Sequence, residues 1–321
     1  MSMGKFTVVV AEPIDSAGIQ LLEDNGIEVI KLPPDSDEVA LIEVVPIADA
    51  LITRGFIRVT REIMEASPQL RVVGVHGVGC DHIDLQAARE LGKVVFNTPS
   101  ALTEAVAEMT MALMLALTRR VVSADRAVRA GKWTRKFGDL IGSELMGKTV
   151  GLIGLGRIGG AVARRLKPFG VELLYYDVVE RADLESDLGV RRVDLDTLFR
   201  SSDIITLHTP LTPQTRGLIS KRAFGLMKDG VYLVNTSRGK IIDQRALVEA
   251  LETGKVAGAA LDVFEEEPLD PADPLASMDN VILTLHLGAS SREAMINMSV
   301  QVAEGVVEVL RGGVPKSPVV P

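Results

Sequence analysis

The chain has 321 residues, 47% of them hydrophobic and 24% charged, with a formal net charge of −8. This length exceeds what one ordinary core serves and predicts two domains. The composition excludes disorder, and an acidic balance with no basic block argues against a nucleic-acid partner.

A lone cysteine, Cys80, excludes an intrachain disulfide. The apolar run 111–117 is too short to span a bilayer, and residues 1–13 read as a first strand rather than an export signal. A cytoplasmic protein with no membrane partner is expected.

In chain order, short β-branched runs alternate with amphipathic stretches. FTVVVAE (6–12) precedes a helical pattern at 15–26. A strand at 48–55 precedes a helix at 60–67, and a strand at 70–77 precedes a helix at 84–92. A strand at 93–99 leads into a long helical pattern from Leu102 to about Ala130. Such alternation implies parallel sheets covered on both faces.

After GSELMGKT (142–149) the pattern restarts. Runs at 149–156, 171–177, 203–210, 231–239, 257–264 and 281–287 supply six strands, as in a complete dinucleotide-binding sheet. The last helix, about Ser291 to Leu310, is expected to have no strand after it and to cross back to the first domain. The fold class read here is α/β: two Rossmann-like/flavodoxin-like doubly wound parallel-sheet domains separated by a cleft. Residues 1–99 and 288–321 form one domain, and 100–287 a second domain inserted in it. The hinges fall near Thr98–Pro99 and Leu287–Gly288.

One of four histidines, His286, lies in VILTLHLGASS (281–291), near the end of an apolar run. Alone, it reads as a core histidine satisfied by a backbone hydrogen bond. Other motifs change that reading. GLGRIG (154–159) follows a strand pattern and opens a helix pattern, the context a dinucleotide turn requires. Gly154 makes the tight turn, Gly156 lets a pyrophosphate approach, and Gly159 lets the helix pack on the strand. The helix turns its positive dipole end toward the phosphates. Asp177 ends the next strand. A carboxylate there accepts bonds from ribose hydroxyls and repels a 2′-phosphate, favouring NAD.

Arg238, in NTSRG (235–239), follows a later strand. Glu265, Glu266 and Glu267, in FEEEP (264–268), follow the next, and His286 follows the one after. Singly these read as solvated charges and a core ring. Together they place an arginine, a glutamate and a histidine at three successive strand ends of one sheet, where a crevice forms. The CDHID segment (80–84) fits no zinc spacing, so no metal is expected. Met109, Met111 and Met114 suit a helical core or a dimer face.

With these motifs the chain resembles the D-isomer-specific 2-hydroxyacid dehydrogenases. The resemblance runs through DHIDL (81–85), NTP (97–99), EAVAE (104–108), GKTVGLIGLGRIG (147–159), HTPLTPQTRGLI (208–219), VNTSRGKIID (234–243), AGAALDVFEEEP (257–268) and HLGASS (286–291). It implies an NAD-dependent oxidoreductase in which Arg238 holds the substrate carboxylate, His286 shuttles the proton, and Glu267 orients the ring and favours its protonated form.

It further implies cofactor contacts at Gly154, Gly156, Arg157, Ile158, Gly159, Asp177, Thr209, Thr236, Ser237, Arg238, Asp262, His286 and Gly288. Substrate contacts are implied at Arg54, Gly77, Val78, Arg238 and His286; His208 itself reads as structural. A homodimer through the NAD-binding domain is also implied, with Trp133 in its contact segment and Arg135 reaching across.

The substrate expected from the resemblance is D-3-phosphoglycerate. Hydroxypyruvate or glyoxylate reduction is the alternative, because Val75 and Val78 stand where the phosphoglycerate subgroup often has a basic and a hydroxyl residue. NAD-sensing corepressors share the fold, but a binding role alone leaves the Arg–Glu–His set unexplained. Formate dehydrogenases carry glutamine where this chain has Glu267.

Overall fold

The computed structural model describes residues 6–133 and 138–320. The chain divides into two compact units, Met1–Leu102 with Ala289–Pro321, and Thr103–Gly288. Strands and helices are numbered in chain order.

The first unit holds β1 (Thr7–Val10), β2 (Glu28–Lys31), β3 (Ala50–Thr53), β4 (Val72–Val75), β5 (Val94–Phe96) and β13 (Pro318–Val320). Their order is β13-β5-β4-β3-β1-β2. The five parallel strands follow the flavodoxin-like sequence, which reverses direction between β1 and β3. Alternation sorts the side chains by face. Val9, Leu51, Val73 and Val95 enter one core layer, and Val8, Val10, Ile52 and Phe96 the other.

The first layer is closed by α3 (Arg61–Ala66) and α4 (Leu85–Glu90), the second by α1 (Ser16–Asp24) and α12 (Arg292–Leu310). Helices α1 and α12 cross closely. A Cβ on Gly18 would lie 2.2 Å from Ser299 Oγ, and that hydroxyl donates to the Asp15 carbonyl at 2.7 Å.

Two expectations are corrected here. The last helix is followed by a strand: β13 pairs antiparallel with β5, Pro318 against Phe96 and Val320 against Val95. Three residues carry no detectable periodicity, and the pairing exists only through β5. Strand β2 and the helix after it, α2 (Glu38–Val44), were also unexpected, since β2 is a half-polar edge strand with Glu28 and Lys31 exposed.

The second unit is an all-parallel sheet of seven strands rather than six. These are β6 (Thr149–Ile153), β7 (Glu172–Tyr176), β8 (Arg191–Arg192), β9 (Ile204–Leu207), β10 (Val231–Asn235), β11 (Val256–Leu261) and β12 (Val281–Leu283). The order β12-β11-β10-β9-β6-β7-β8 reverses between β6 and β9, as in dinucleotide-binding sheets. The extra strand, β8, is two exposed arginines at the edge, paired with Leu174 and Tyr175.

The long helical pattern splits. Helix α5 (Thr103–Thr118) ends, Arg120 turns left-handed at φ 56°, and α6 (Val121–Arg129) follows. Met111 and Met114 are buried in the core beneath α5, with Met109 packed against it.

Candidate active site

The glycine-rich turn joins β6 to α7 (Arg157–Leu166). Gly154 has φ +95°, and a Cβ there would lie 2.4 Å from the His208 carbonyl. A Cβ on Gly159 would lie 2.2 Å from the Gly154 carbonyl. Both positions therefore exclude any side chain. Gly156 is different: it is exposed, and among the described residues nothing beyond its own stretch of chain lies within 4 Å of its Cβ position. It caps α7, with Arg157 exposed and Ile158 half-buried in the first turn. An open backbone at a helix N-terminus fits the pyrophosphate of NAD.

Asp177, just beyond β7, is half-buried. Its Oδ2 accepts from the Leu155 N–H at 2.7 Å and its Oδ1 from the Val179 N–H at 2.9 Å. Arg181 Nη1 donates to the Leu155 carbonyl at 2.6 Å. The turn residue Leu155 is thus gripped at both ends of its backbone. The second grip, from Arg181, carries no motif and was invisible in the sequence.

His208 and Thr209 follow β9 beside the turn. Burial pushes the His208 imidazole down to about 3, so the ring is neutral. Its Nε2 pairs with Thr206 Oγ1 at 3.0 Å, while Nδ1 is buried without a partner among the described residues.

After β10, buried Asn235 braces the turn that carries Arg238. Its Oδ1 accepts from the Ser237 N–H and Oγ, and its Nδ2 donates to the Arg238 carbonyl at 2.9 Å. Buried Thr236 pairs with Thr110 of α5 at 2.8 Å. A Cβ on Gly239 would lie 1.8 Å from the Phe264 carbonyl, so this turn packs directly on the FEEEP segment. The sequence signal for Asn235, absent from the residues expected above, is an amide ending a strand before a tight turn.

Glu267 and His286, 19 positions apart, meet at 2.8 Å between Oε2 and Nδ1. Glu267 Oε1 accepts from the Phe264 N–H at 3.0 Å. Burial pushes the Glu267 carboxyl up. The hydrogen bonds from His286 and Phe264 and the charges of His286 and Arg238 outweigh that, leaving it below the usual carboxylate range. His286 is no core histidine: its side chain is 51% exposed. Strand β12 ends at Leu283, and His286 stands beyond it with φ 54°.

Buried Asp262, after β11, holds that loop. Its Oδ1 accepts from Thr284 Oγ1 at 2.6 Å and the Leu287 N–H at 2.7 Å, and its Oδ2 from the Gly288 N–H at 2.7 Å. The His286 N–H donates to the Asp262 carbonyl at 2.9 Å. The structure thus brings Arg238, Glu267 and His286 to neighbouring strand ends, with Asn235 and Asp262 as their braces. A guanidinium, an imidazole and a carboxylate bonded to that imidazole suit protonation of a carbonyl oxygen next to an anion.

In the first unit, Arg54 follows β3, and Gly77 and Val78 follow β4. The Gly77 N–H donates to Thr98 Oγ1 at 3.0 Å, and Asn97 Nδ2 donates to the Val78 carbonyl at 2.7 Å. No group of metal-ligating side chains gathers among the described residues, and His82 Nε2 lies 3.3 Å from Thr53 Oγ1.

These turns, sheet orders and side chains define an NAD-binding α/β dehydrogenase. Residues 111–288 match the family model described as D-isomer specific 2-hydroxyacid dehydrogenase, NAD binding domain. The chain belongs to that family. It is 46% identical over 306 residues to a D-3-phosphoglycerate dehydrogenase of Archaeoglobus fulgidus, covering 95% of this chain and 57% of that protein. It is 42% identical over 311 residues to a glyoxylate reductase of Korarchaeum cryptofilum, covering 96% and 94% respectively. Among solved structures, the TT0316 protein of Thermus thermophilus superposes with a TM-score of 0.90 at 38% identity, over 98% of this chain and 100% of that one.

Proposed function

We propose that this family member oxidises D-3-phosphoglycerate and reduces phosphohydroxypyruvate at the Arg238, Glu267 and His286 constellation. The His286–Glu267 contact of 2.8 Å, beside Arg238, carries the reading. Bound NAD supplies or accepts the hydride. Arg238 grips the substrate carboxylate with its planar fork and polarises the adjacent carbonyl. His286 gives a proton to the carbonyl oxygen in reduction and takes it back in oxidation. Glu267 fixes the ring through Nδ1, which turns Nε2 toward the substrate. Arg54 takes the substrate's far anionic end, with Gly77 and Val78 as further contacts.

Hydroxypyruvate or glyoxylate reduction is the second reading. Val75 is buried and Val78 is 37% exposed, so neither position offers a phosphate a cation. A panel of phosphohydroxypyruvate, hydroxypyruvate and glyoxylate with NADH decides between them. The highest kcat/KM is expected for phosphohydroxypyruvate. A higher value for either smaller acid overturns the phosphate assignment. Absence of turnover with every 2-oxo acid would point instead to an NAD-sensing binding protein.

A homodimer through the second unit belongs to the same proposal. Val121, Val128, Trp133, Ile141 and Met146 are each more than half exposed, apolar side chains between 121 and 146 that a second copy would cover. Arg135 lies outside the described residues. No described helix is long and apolar enough to cross a membrane.

A further inference from the structure

Where the strand order of the first unit reverses, between β1 and β3, a carboxylate is buried. Glu12, which ends the run FTVVVAE, is 4% exposed. The chain from Thr53 to Ile57 wraps round it. Its Oε2 accepts from Thr53 Oγ1 at 3.0 Å and the Arg54 N–H at 2.6 Å. Its Oε1 accepts from the N–H groups of Gly55 at 3.2 Å, Phe56 at 2.8 Å and Ile57 at 2.9 Å. Successive backbone N–H groups converging on one anion form a nest, and Gly55, at φ +127°, takes a conformation other residues rarely adopt.

The Arg54 side chain reaches back to the residue after Glu12. Its Nη1 donates to the Pro13 carbonyl at 2.8 Å, and its Nη2 lies 3.8 Å from Met295 Sδ. The other guanidinium N–H groups have no acceptor among the described residues. His76 is buried alongside, with neither ring nitrogen hydrogen-bonded among the described residues. Burial and the Arg54 charge push its imidazole down to about 4, so it adds no positive charge. Glu12 is therefore the counter-charge to a partly desolvated Arg54.

We propose that Glu12 is a positioning residue for the substrate: it holds the 53–57 turn and balances Arg54, so that the guanidinium is already oriented toward a carboxylate or phosphate at the substrate's far end. This rests on the reading of Arg54 given above. Strand carboxyl ends at a switch point are where ligands bind in such sheets. A pre-ordered cation there binds without paying for its own ordering. Proton transfer at His286 does not involve this contact, so its loss acts on KM and leaves kcat nearly unchanged.

The test is a double-variant cycle on the full-length enzyme with NADH: Glu12→Gln, Arg54→Ala and both together. Arg54→Ala is expected to raise KM for phosphohydroxypyruvate roughly thirtyfold, the loss of a charge-assisted contact. Glu12→Gln should raise it roughly tenfold, with kcat within about threefold of wild type and NADH affinity unchanged. The double variant should be no worse than Arg54→Ala alone, because coupled residues are non-additive. KM for glyoxylate, which has no far anionic group, should move much less.

A Glu12→Gln KM within about twofold of wild type, effects that multiply in the double variant, or an equal rise for both acids overturns the proposal. If Arg54→Ala leaves KM unchanged, the reading of Arg54 fails and the proposal with it. If Arg54→Ala acts and Glu12→Gln is silent, the proposal fails alone. Should Gln prevent folding, Glu12→Asp keeps the charge on a shorter arm and goes through the same cycle, with a smaller rise expected.

Discussion

Asparagine at Asp262 tests whether the His286 loop is held from below. The carboxylate is 1% exposed and accepts from Thr284 Oγ1, the Leu287 N–H and the Gly288 N–H, at 2.6, 2.7 and 2.7 Å. An amide has one acceptor oxygen, so its NH2 must face at least one of these donors. A buried N–H left facing another donor costs about 2 kcal/mol, and weakening the remaining charge-assisted bonds adds about 1 kcal/mol. For a unit of this size each kcal/mol lowers Tm by about 2–4 °C, so a fall of roughly 6–12 °C is expected.

The same bonds sustain His286 at φ 54°, a conformation that costs a non-glycine residue about 1 kcal/mol. Once they loosen, the ring leaves its 2.8 Å register with Glu267. The kcat for a saturating 2-oxo acid should then fall by roughly ten- to a hundredfold. Thermal unfolding and steady-state kinetics on the Asp262→Asn variant read both effects. A Tm within about 1 °C and a kcat within about twofold of wild type would refute the reasoning, since neither a lost buried bond nor a displaced ring leaves so small a trace.

His286→Ala should lower kcat by roughly two to four powers of ten while NADH still binds, and a value within about threefold of wild type would remove the proton shuttle. Arg238→Lys should mainly raise the substrate KM, because an ammonium cannot make the two-pronged carboxylate contact; an unchanged KM counts against the clamp. Asp177→Ser should narrow a preference for NADH over NADPH, and a wild type that uses both equally would show that Asp177 does not select the cofactor. Glu267 has its carboxyl held below the usual range, so its ionised form stabilises the fold above that range and the contribution drains away as pH falls through the lowered value. Tm measured from pH 7 downward should therefore show the gap between wild type and Glu267→Gln closing in acid; a gap that is constant with pH contradicts the shift.

Hydrophobic runs bounded by turn residues made the buried strands legible in the sequence. Strands β1, β3 to β7 and β9 to β12 all bury apolar side chains, and burial forces the composition that reveals them. The glycine motif was legible for a related reason, because Gly154 and Gly159 each answer a local steric demand. The edge strands β2, β8 and β13 were not. Arg191–Arg192, Glu28–Lys31 and Pro318–Val320 are strands because a neighbour offers unpaired backbone groups, and such pairing leaves little trace in side-chain pattern.

The site divides in the same way. Arg238, Glu267 and His286 stood out as charged or titratable residues at strand ends. The brace residues did not, because a carboxylate's worth here depends on the backbone N–H groups that converge on it. Asp262 gathers the 284–288 loop and Glu12 the 53–57 turn, each an acid at the end of an apolar run whose partners lie 22 to 45 positions away. Burying such a charge is tolerable only when several donors surround it. Tertiary packing alone assembles those donors, so the chain sequence shows the acid while the folded structure decides what it holds.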